Sequence, residues 1–464
     1  MEIFTRKWSE ISGGRFDAVS HKQSHLFANS KYGLKKIKEI CEINPSVNMS
    51  KFVMQGKNVS FIPMELLSND GKSFTMLSQN ASLYKGFTRF QNDDLLWAKI
   101  TPCMQNKKSA VVSGLENGVG FGSTEFFVLR TKNSNIVNIH FILQILRMDL
   151  VIEQAKLNFK GSAGQQRVPK DFLENLLIPI PPKEIQEQII DIMDNAYLLK
   201  NKKENEAKEL LNSVDSYLLA ELGIELPSKD ISLEHRIYTT KLSHISGNRF
   251  DCEYHQSYYK TLEEAIQKGK YQTEKIQDSV FVNQQLEYME KYNFINYIDL
   301  SCIDKENGII KDTILINLNF PSRARQKVHK GDLLVSTLSG SMKAIALIEE
   351  YKENLIASTG FFVINKVKNI SKDFLISVLR TDLFQILLKR KASGSIMSSI
   401  NYNDFLNLKI PLPPLSVQEK IANEITKRKQ KALNLQKEAK ECLNSAKIQV
   451  EKIILGQQQK DERV

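Results

Sequence analysis

Short apolar runs, punctuated by Gly, Asn and Pro, fill most of the chain. Asp94-Leu95-Leu96-Trp97-Ala98-Lys99-Ile100 and Phe126-Phe127-Val128-Leu129 have strand length and near-continuous apolar character, the pattern of buried strands. Ile139 to Leu150 and Phe374 to Leu388 carry helical spacing, and each predicts one helix. Two other stretches read differently. From Gln186 to Gly223, Ile189, Ala196, Ala207, Leu210, Val214 and Tyr217 fall on one helix face. From Gln418 to Gly456, Ile421, Ile425, Arg428, Ala432, Leu435, Ala439, Cys442, Ala446, Gln449 and Ile453 follow steps of four and three. Such a stripe keeps one face toward a partner helix, with alanines allowing close approach. Ser416-Val417-Gln418-Glu419, directly after Pro413-Pro414, reads as a capping box, and Gly456 suits a C-terminal turn. In the first stretch Glu184 stands where the capping Ser would be.

The same features recur in one order. Ser12-Gly13-Gly14-Arg15-Phe16-Asp17 returns as Ser246-Gly247-Asn248-Arg249-Phe250-Asp251, and Asp94-Leu95-Leu96 as Asp332-Leu333-Leu334. Ser123-Thr124-Glu125-Phe126-Phe127-Val128 returns as Ser358-Thr359-Gly360-Phe361-Phe362-Val363, and Pro179-Ile180-Pro181-Pro182 as Pro411-Leu412-Pro413-Pro414. Gln186-Glu187-Gln188-Ile189 matches Gln418-Glu419-Lys420-Ile421, and Leu211-Asn212-Ser213 matches Leu443-Asn444-Ser445. The chain is a tandem duplication of a mixed α/β globule followed by a long helix.

Charge separates the two long helices. The first carries four Lys against eight Asp and Glu between Gln186 and Gly223; the second carries nine Lys and Arg against five Glu between Gln418 and Gly456. Opposite signs favour pairing of the two with each other. The alternative is that each amphipathic face docks on its own globule. Two copies of one unit tend to pack about a pseudo-twofold axis, which makes the paired helices antiparallel and puts one globule at each end. The expected fold class is therefore α+β: two similar α/β domains joined by two long antiparallel, coiled-coil helices, with a pseudo-twofold internal repeat. The expected boundaries are 1–185 for the first domain, 186–223 for the first spacer helix, 224–417 for the second domain, 418–456 for the second spacer helix, and 457–464 for a polar tail. Two heads on a stiff handle have the layout of dimers that read two DNA half-sites at least one helical turn, about 34–36 Å, apart.

Composition narrows the function classes. The 464 residues are 42% hydrophobic and 25% charged, the balance of a globular protein with a substantial core. The most apolar segment, Phe141 to Ile152, is interrupted by Gln144, Arg147 and Asp149, and the first ten residues have no apolar core; no membrane span or signal peptide is expected. The five cysteines (Cys41, Cys103, Cys252, Cys302, Cys442) are odd in number and none sits at C-x-x-C spacing, so neither a disulfide framework nor a zinc site is expected. A reducing cytoplasm fits. A net charge of +11 points to a polyanionic partner.

No catalytic constellation emerges. A G-x-x-x-x-G-K-[ST] loop is absent; Gly118-Val119-Gly120-Phe121-Gly122 lacks dinucleotide-binding spacing and reads as tight-turn glycines. An amino-methyltransferase tetrapeptide (Asn/Asp-Pro-Pro-Tyr/Phe), H-E-x-x-H and Gly-x-Ser-x-Gly are all missing, and Ser339-Gly340-Ser341 is a small-residue turn. Arg15-Phe16-Asp17 and Arg249-Phe250-Asp251 read as duplicated structural clamps. No catalytic residue and no metal ligand is expected.

Three polar segments per copy remain as candidate DNA-contacting surfaces. The first follows the strand Leu95 to Ile100: Thr101, Gln105, Asn106, Lys107 and Lys108, matched in the second copy by Thr337 to Lys343. Amides and lysines at a strand end offer donors to phosphates and base edges. The second is Gly161 to Arg167, with Gln165, Gln166 and Arg167 suited to bidentate contacts with adenine or guanine; its counterpart holds Ser395, Ser398 and Asn401. The third is basic: Lys85, Arg89 and Lys99, and then Arg323, Arg325, Lys327 and Lys330. Taken singly, each is equally well a solvated turn. The framework motifs repeat closely while these loops differ, as two heads built alike to read different sequences require.

Asp93-Asp94-Leu95-Leu96-Trp97-Ala98-Lys99-Ile100-Thr101-Pro102-Cys103, Gly122-Ser123-Thr124-Glu125-Phe126 and Pro179-Ile180-Pro181-Pro182 with Gln186-Glu187-Gln188-Ile189 together resemble the specificity subunit of type I restriction-modification enzymes, over nearly the whole chain. The second copy departs at Leu338-Ser339-Gly340 and at Gly360. The resemblance implies a subunit with no active site and no cofactor of its own. Its two domains would read the halves of a bipartite site in double-stranded DNA, and its helices would set the spacer. Two methyltransferase subunits carrying S-adenosylmethionine would dock on it and methylate adenine N6 after base flipping. Restriction/translocase subunits using ATP and Mg would join them. Two other classes stay open at this point: a DNA-reading subunit of another restriction architecture with a single fused partner, and a coiled-coil scaffold without a nucleic-acid role. Neighbouring genes or co-purification of a methyltransferase separate the first; failure of duplex DNA to compete with heparin favours the second.

Overall fold

The computed structural model describes residues 26–162, 164–228, 237, 239, 241–245, 253–394 and 398–456. The Arg-Phe-Asp motifs at 15–17 and 249–251, Ser395, and the tail 457–464 lie outside the described residues. The chain divides into two compact units: 1–204 with 437–464, and 205–436. Each unit thus contains one globule and one half of each long helix.

In unit 1, a four-stranded antiparallel sheet has the order Cys41–Ile43, Phe126–Thr131, Leu95–Ala98, Ser109–Val111. A second sheet has the order Leu77–Asn80, Asn58–Ile62, Val119–Gly122, Thr88–Gln91, with its two central strands parallel. Side chains alternate across the first sheet. Leu95, Trp97, Phe127 and Leu129 face a core shared with the helices, whereas Leu96, Ala110, Phe126 and Val128 meet Ile62 and Phe90 of the second sheet. Burial on both faces is why these runs are apolar throughout instead of alternating. The far face of the second sheet packs Val59 and Phe121 on Val47, Met49 and Phe52.

Unit 2 repeats the plan. Its first sheet has the order Val280–Asn283, Phe361–Val367, Leu333–Ser336, Ile345–Leu347; its second has Ile314–Ile316, Ile295–Ile298, Leu355–Ser358, Ala324–Lys327, again with a parallel central pair. The parity is preserved: Leu333, Val335, Phe362 and Ile364 face helices, and Leu334, Phe361 and Val363 face the second sheet. A small two-stranded hairpin, Ile303–Asp304 with Ile309–Ile310, is added.

The long helices span Lys183–Leu222 and Leu415–Leu455, each roughly 60 Å at 1.5 Å per residue. Within unit 1 they run antiparallel, with Ile189, Met193, Ala196 and Tyr197 sharing a core with Ala446, Val450 and Ile454, and with an ion pair from Lys203 to Glu438. Within unit 2 they also run antiparallel. Ala207, Ala432 and Leu435 pack together, Lys431 meets Glu206 at 3.0 Å, and Lys420 meets Glu221 at 3.1 Å. Of the expected interface positions, Val214, Ile421, Ile425 and Ala439 are also buried; Leu210, Tyr217, Cys442 and Ile453 are half-buried. Arg428 lies over the Tyr217 ring and donates to Ser213.

Several local expectations are corrected. Ile139 to Leu150 is two helices, Ile139–Leu146 and Asp149–Leu157, broken by the extended backbone of Met148. Phe374 to Leu388 lies across Lys372–Arg380 and Asp382–Lys391, because Thr381 turns extended and its hydroxyl caps the second helix at Phe384 N–H. Ser416 is no N-cap: the helix already includes Leu415. The residue that secures this start is the fully buried Gln418. Its amide donates to Pro413 O and Asn369 O at 2.8 and 3.0 Å, and its carbonyl accepts from Ser371 N–H. Gln186 does the same with Pro181 O, Ile136 O and Asn138 N–H, each at 2.9 Å. The first helix therefore opens at Lys183 and not at Gln186. Gly118 is a turn glycine with φ near 74°, but Gly120 and Gly122 lie inside a buried strand. A Cβ at Gly122 would sit 2.1 Å from Ile62 O, and one at Gly120 2.6 Å from the Phe90 ring; close backbone approach excludes side chains there.

Candidate nucleic-acid interface

In each unit the strand Leu95–Ala98 or Leu333–Ser336 runs from a tight turn into the first polar loop. The turn is built by the repeated Asp. Asp94 is buried, accepts from Gln91 N–H, and is held bidentately by Arg130 at 2.7 and 2.8 Å. Asp332 accepts from His329 N–H at 2.8 Å. These carboxylates are framework and do not belong to a reactive site.

The first and second polar loops are brought together by backbone pairing. In unit 1, Thr101 N–H donates to Gln166 O and Val168 N–H to Lys99 O, both at 2.9 Å. In unit 2, Ser339 N–H donates to Ser398 O at 2.9 Å and Ile400 N–H to Thr337 O at 2.8 Å. This ladder corrects the sequence alignment: Lys99 corresponds to Thr337 and Thr101 to Ser339. A further link is Lys99 N–H to Glu125 O, matched by Thr337 N–H to Gly360 O, each at 2.9 Å. The Ser-Thr-x-Phe-Phe-Val motif thus carries the loop platform. Gly161 and Gly394, with φ of 116° and 127°, occupy the same corner; the turn itself demands glycine there.

On this platform Gln105, Asn106 and Gln165 are exposed, and Thr101 and Gln166 are half-buried. Lys99 lies with its ammonium 5.4 Å from the Phe127 ring centre. The other proposed contacts have prior engagements. Arg167 grips Glu125 through Nε and Nη2 at 2.8–3.0 Å and donates from Nη1 to Gln165 O. Lys107 pairs with Asp149 and Lys343 with Asp382, a duplicated bridge from loop to helix start. Burial pushes the Lys107 ammonium below its ordinary pKa despite the Asp149 carboxylate. Lys108 donates to Met64 O at 2.8 Å. Asn401 caps the helix Tyr402–Leu406, accepting from Asp404 N–H, and in addition donates its amide to that carboxylate. Ser398 donates its hydroxyl to Ser339 at 2.7 Å.

The basic segment is split by the topology. Arg323 lies at the loop end of the sheets, where Thr359 N–H donates to its carbonyl, and Lys85 ends the short helical turn Ala81–Tyr84. Arg89 lies over the Tyr84 ring, with Arg325 further along the corresponding edge strand. Lys327 and Lys330 approach the opposite turn, about 13 Å away across a four-residue strand. Among the described residues, no three His, Cys, Asp or Glu side chains are placed to hold a metal ion. Cys41, Cys103, Cys302 and Cys442 are unpaired thiols, and burial pushes Cys41 up to about 12. No described helix is long and apolar enough to cross a membrane.

Two globules of one topology, each offering a loop platform of different chemistry, match one family. The profile described as the type I restriction modification DNA specificity domain covers residues 29–212 and 283–444. The chain belongs to this family. A specificity subunit of the type I restriction enzyme EcoAI from Escherichia coli is 42% identical over 153 residues, 32% of this chain and 25% of that protein. The EcoEI specificity subunit of Escherichia coli is 33% identical over 183 residues, 39% of this chain and 30% of that protein. The matches therefore span between a quarter and a third of the length of these relatives. A chain solved in work described as "Structural basis underlying complex assembly and conformational transition of the type I R-M system" has a TM-score of 0.56 at 15% identity, covering 92% of this chain and 96% of that one. That likeness is one of fold.

Within the specificity-domain framework, sequence reasoning missed the residues that fix the platform. Arg147, buried, donates to Lys107 O, Asn69 O, Ser109 Oγ and the Tyr197 hydroxyl. Arg380 does the corresponding work in unit 2 through Lys343 O, Lys305 O and Glu306 O. The signal was present: both arginines sit in the apolar stretches that read as single helices, where a charged residue needs a partner.

Proposed function

We propose that the chain is the non-catalytic DNA-specificity subunit of a cytoplasmic type I restriction-modification enzyme. Each unit reads one half of a bipartite duplex site, and the long helices set the spacer and dock two methyltransferase subunits. Those subunits bring S-adenosylmethionine and modify adenine; restriction/translocase subunits bring ATP and Mg. Membership of the DNA specificity family supports this reading. The observation that carries it is the pair of loop platforms, alike in backbone pairing and unlike in side chains. On this reading Gln105, Asn106, Gln165 and Gln166 of unit 1 present amide edges to bases, and Lys85, Arg89 and Lys99 meet phosphates. Mapping methylated bases in the source genome by long-read sequencing tests it. A bipartite motif with a fixed non-specific spacer that disappears on deletion of this gene is the expected result. Unchanged methylation after deletion overturns it.

A further inference from the structure

The two loop platforms are closed by different chemistry at the same place. In unit 1, Glu125 touches both loops: its carbonyl accepts from Lys99 N–H, and its carboxylate takes the Arg167 fork through three hydrogen bonds of 2.8–3.0 Å. In unit 2 both members of this pair are exchanged at once. Gly360 stands where Glu125 is and Ser399 where Arg167 is, as the matching backbone pairs Ile100 with Arg167 and Leu338 with Ser399 establish. Unit 2 closes its platform instead through the Ser398–Ser339 hydroxyl bond and the Thr337 hydroxyl on Gly360 O at 3.1 Å.

We propose that Glu125 and Arg167 are positioning residues for sequence reading by unit 1, holding the loop 161–167 against the loop 99–106 so that neighbouring amides, and not Arg167, meet the bases. Three of the five guanidinium N–H donors are engaged, Nε and Nη2 on the Glu125 carboxylate and Nη1 on Gln165 O, so the plane of the fork is fixed by the two loops it joins. An arginine beside a glycine-rich turn also supplies what Gly161 and Gly164 withhold: with φ of 116° and 83°, these residues leave the loop without side-chain anchors on that side. Simultaneous loss of both partners in unit 2 is what an interacting pair predicts, since either charge left alone would be unmatched.

The inference rests on reading unit 1 as a DNA half-site reader, and the test keeps the two apart. The full gene is replaced in its own cell by Glu125→Ala, Arg167→Ala, Arg167→Lys, the double Ala variant and the exchange Glu125→Arg with Arg167→Glu. Methylated motifs are then mapped for each. Either single Ala variant should relax the first half-motif, with roughly tenfold less discrimination against single mismatches, and leave the second half-motif intact. The double Ala variant should be no worse than either single, Arg167→Lys should be intermediate because it keeps charge without the fork, and the exchange should restore the motif. A glutamate at 167 cannot read guanine, so restoration separates positioning from base contact. An intact first half-motif in Glu125→Ala beside a relaxed one in Arg167→Ala overturns the proposal, as does an exchange no better than the singles. Uniformly reduced methylation with both half-motifs unchanged also overturns it, because a folding defect lowers occupancy without changing which bases are accepted. A wild-type gene that yields no bipartite motif overturns the reading of function itself.

Discussion

Unit 1 and unit 2 share sheet order, strand direction, core parity, the glutamine at each helix start, the loop bridges Lys107–Asp149 and Lys343–Asp382 and the arginines Arg147 and Arg380, yet other polar side chains around the loop platform differ. Arg147 is answered by the Tyr197 hydroxyl in unit 1; the position equivalent to Tyr197 in unit 2 is Lys429, beside Arg380. Lys447 stands near Lys107 and Asp149, whereas its counterpart Asp215 accepts from Asp382 N–H at 2.7 Å. Gly120, Phe121 and Gly122 correspond to Leu355, Ile356 and Ala357, so Phe121 and Ile356 cover the same far face of the second sheet while unit 2 carries side chains where unit 1 has glycines. Duplication kept the groups that satisfy backbone and core. It let drift those that face loops. The difference marks which residues set the frame and which are available to set specificity.

The largest test of that division removes the frame arginines. Arg147→Ala leaves Lys107 O, Asn69 O, Ser109 and Tyr197 without their buried donor, and should cost about 3–4 kcal/mol. Arg380→Ala should cost a similar amount in unit 2. Hydrogen exchange should show each loss confined to the loops of its own unit; protection lost equally in both would end the claim that the units are separate frames. Next, Gln186→Ala and Gln418→Ala each strand two buried carbonyls and an N–H, at about 2–3 kcal/mol. Denaturant melts of the two variants should agree closely. A large disagreement breaks the equivalence.

What was legible in the sequence follows the same division. The strands at 95–98 and 126–131 announced themselves because both faces are buried, and repeated motifs gave away the duplication. The loop alignment failed because two threonines were matched as residue types: counting on from Asp94-Leu95-Leu96 and Asp332-Leu333-Leu334 puts Lys99 at Thr337 and Thr101 at Ser339, as the backbone pairs do. The second loop is then two residues shorter before Lys343, which holds the partners Arg380 and Asp382 as Lys107 holds Arg147 and Asp149. The capping box failed for a related reason. Ser416 has the right neighbours in sequence, but the buried Gln418 already ties the helix start to Pro413 O, Asn369 O and Ser371 N–H. Arg167 looked free for guanine because Glu125, its partner, is forty-two residues distant.

Lys429 sharpens the comparison through pH. Burial, with Arg380 adding repulsion against the pull of Asp215, brings its ammonium down to about 8 from an ordinary 10.5. The unfolded chain then binds more protons than the folded one between about pH 8 and 10.5, so stability should rise with pH across that window and carry the full penalty below it. Replacing Lys429 with Met should raise stability at pH 7 by on the order of 1–2 kcal/mol, and the gain should vanish by pH 10.5. In unit 1 the same place is filled by the Tyr197 ring and its hydroxyl, which accepts from Arg147. A gain that persists unchanged at high pH would show that packing, and not charge, separates the two sites.

The smallest effect falls on Asn401, which sequence placed at the DNA surface and the fold uses as a helix cap. Its carbonyl accepts from Asp404 N–H at 2.8 Å and its amide is committed to the Asp404 carboxylate, so its hydrogen-bonding edge is spent within unit 2. Asn401→Ala should cost about 1 kcal/mol and Asn401→Ser much less, because a hydroxyl can still cap the helix, whereas Asn401→Asp keeps a capping oxygen but sets a second carboxylate against Asp404. Neither the Ala nor the Ser change should alter the second half-motif. Pro169 occupies the corresponding place in unit 1 and offers no side-chain cap there, so the helix Lys170–Asn175 forms without one. That makes the residue a local choice of unit 2 and not part of the shared frame. If Asn401→Ser kept stability but shifted the second half-motif, the amide would be a reader after all, and the line between frame and specificity would have to be drawn one residue further into the helix.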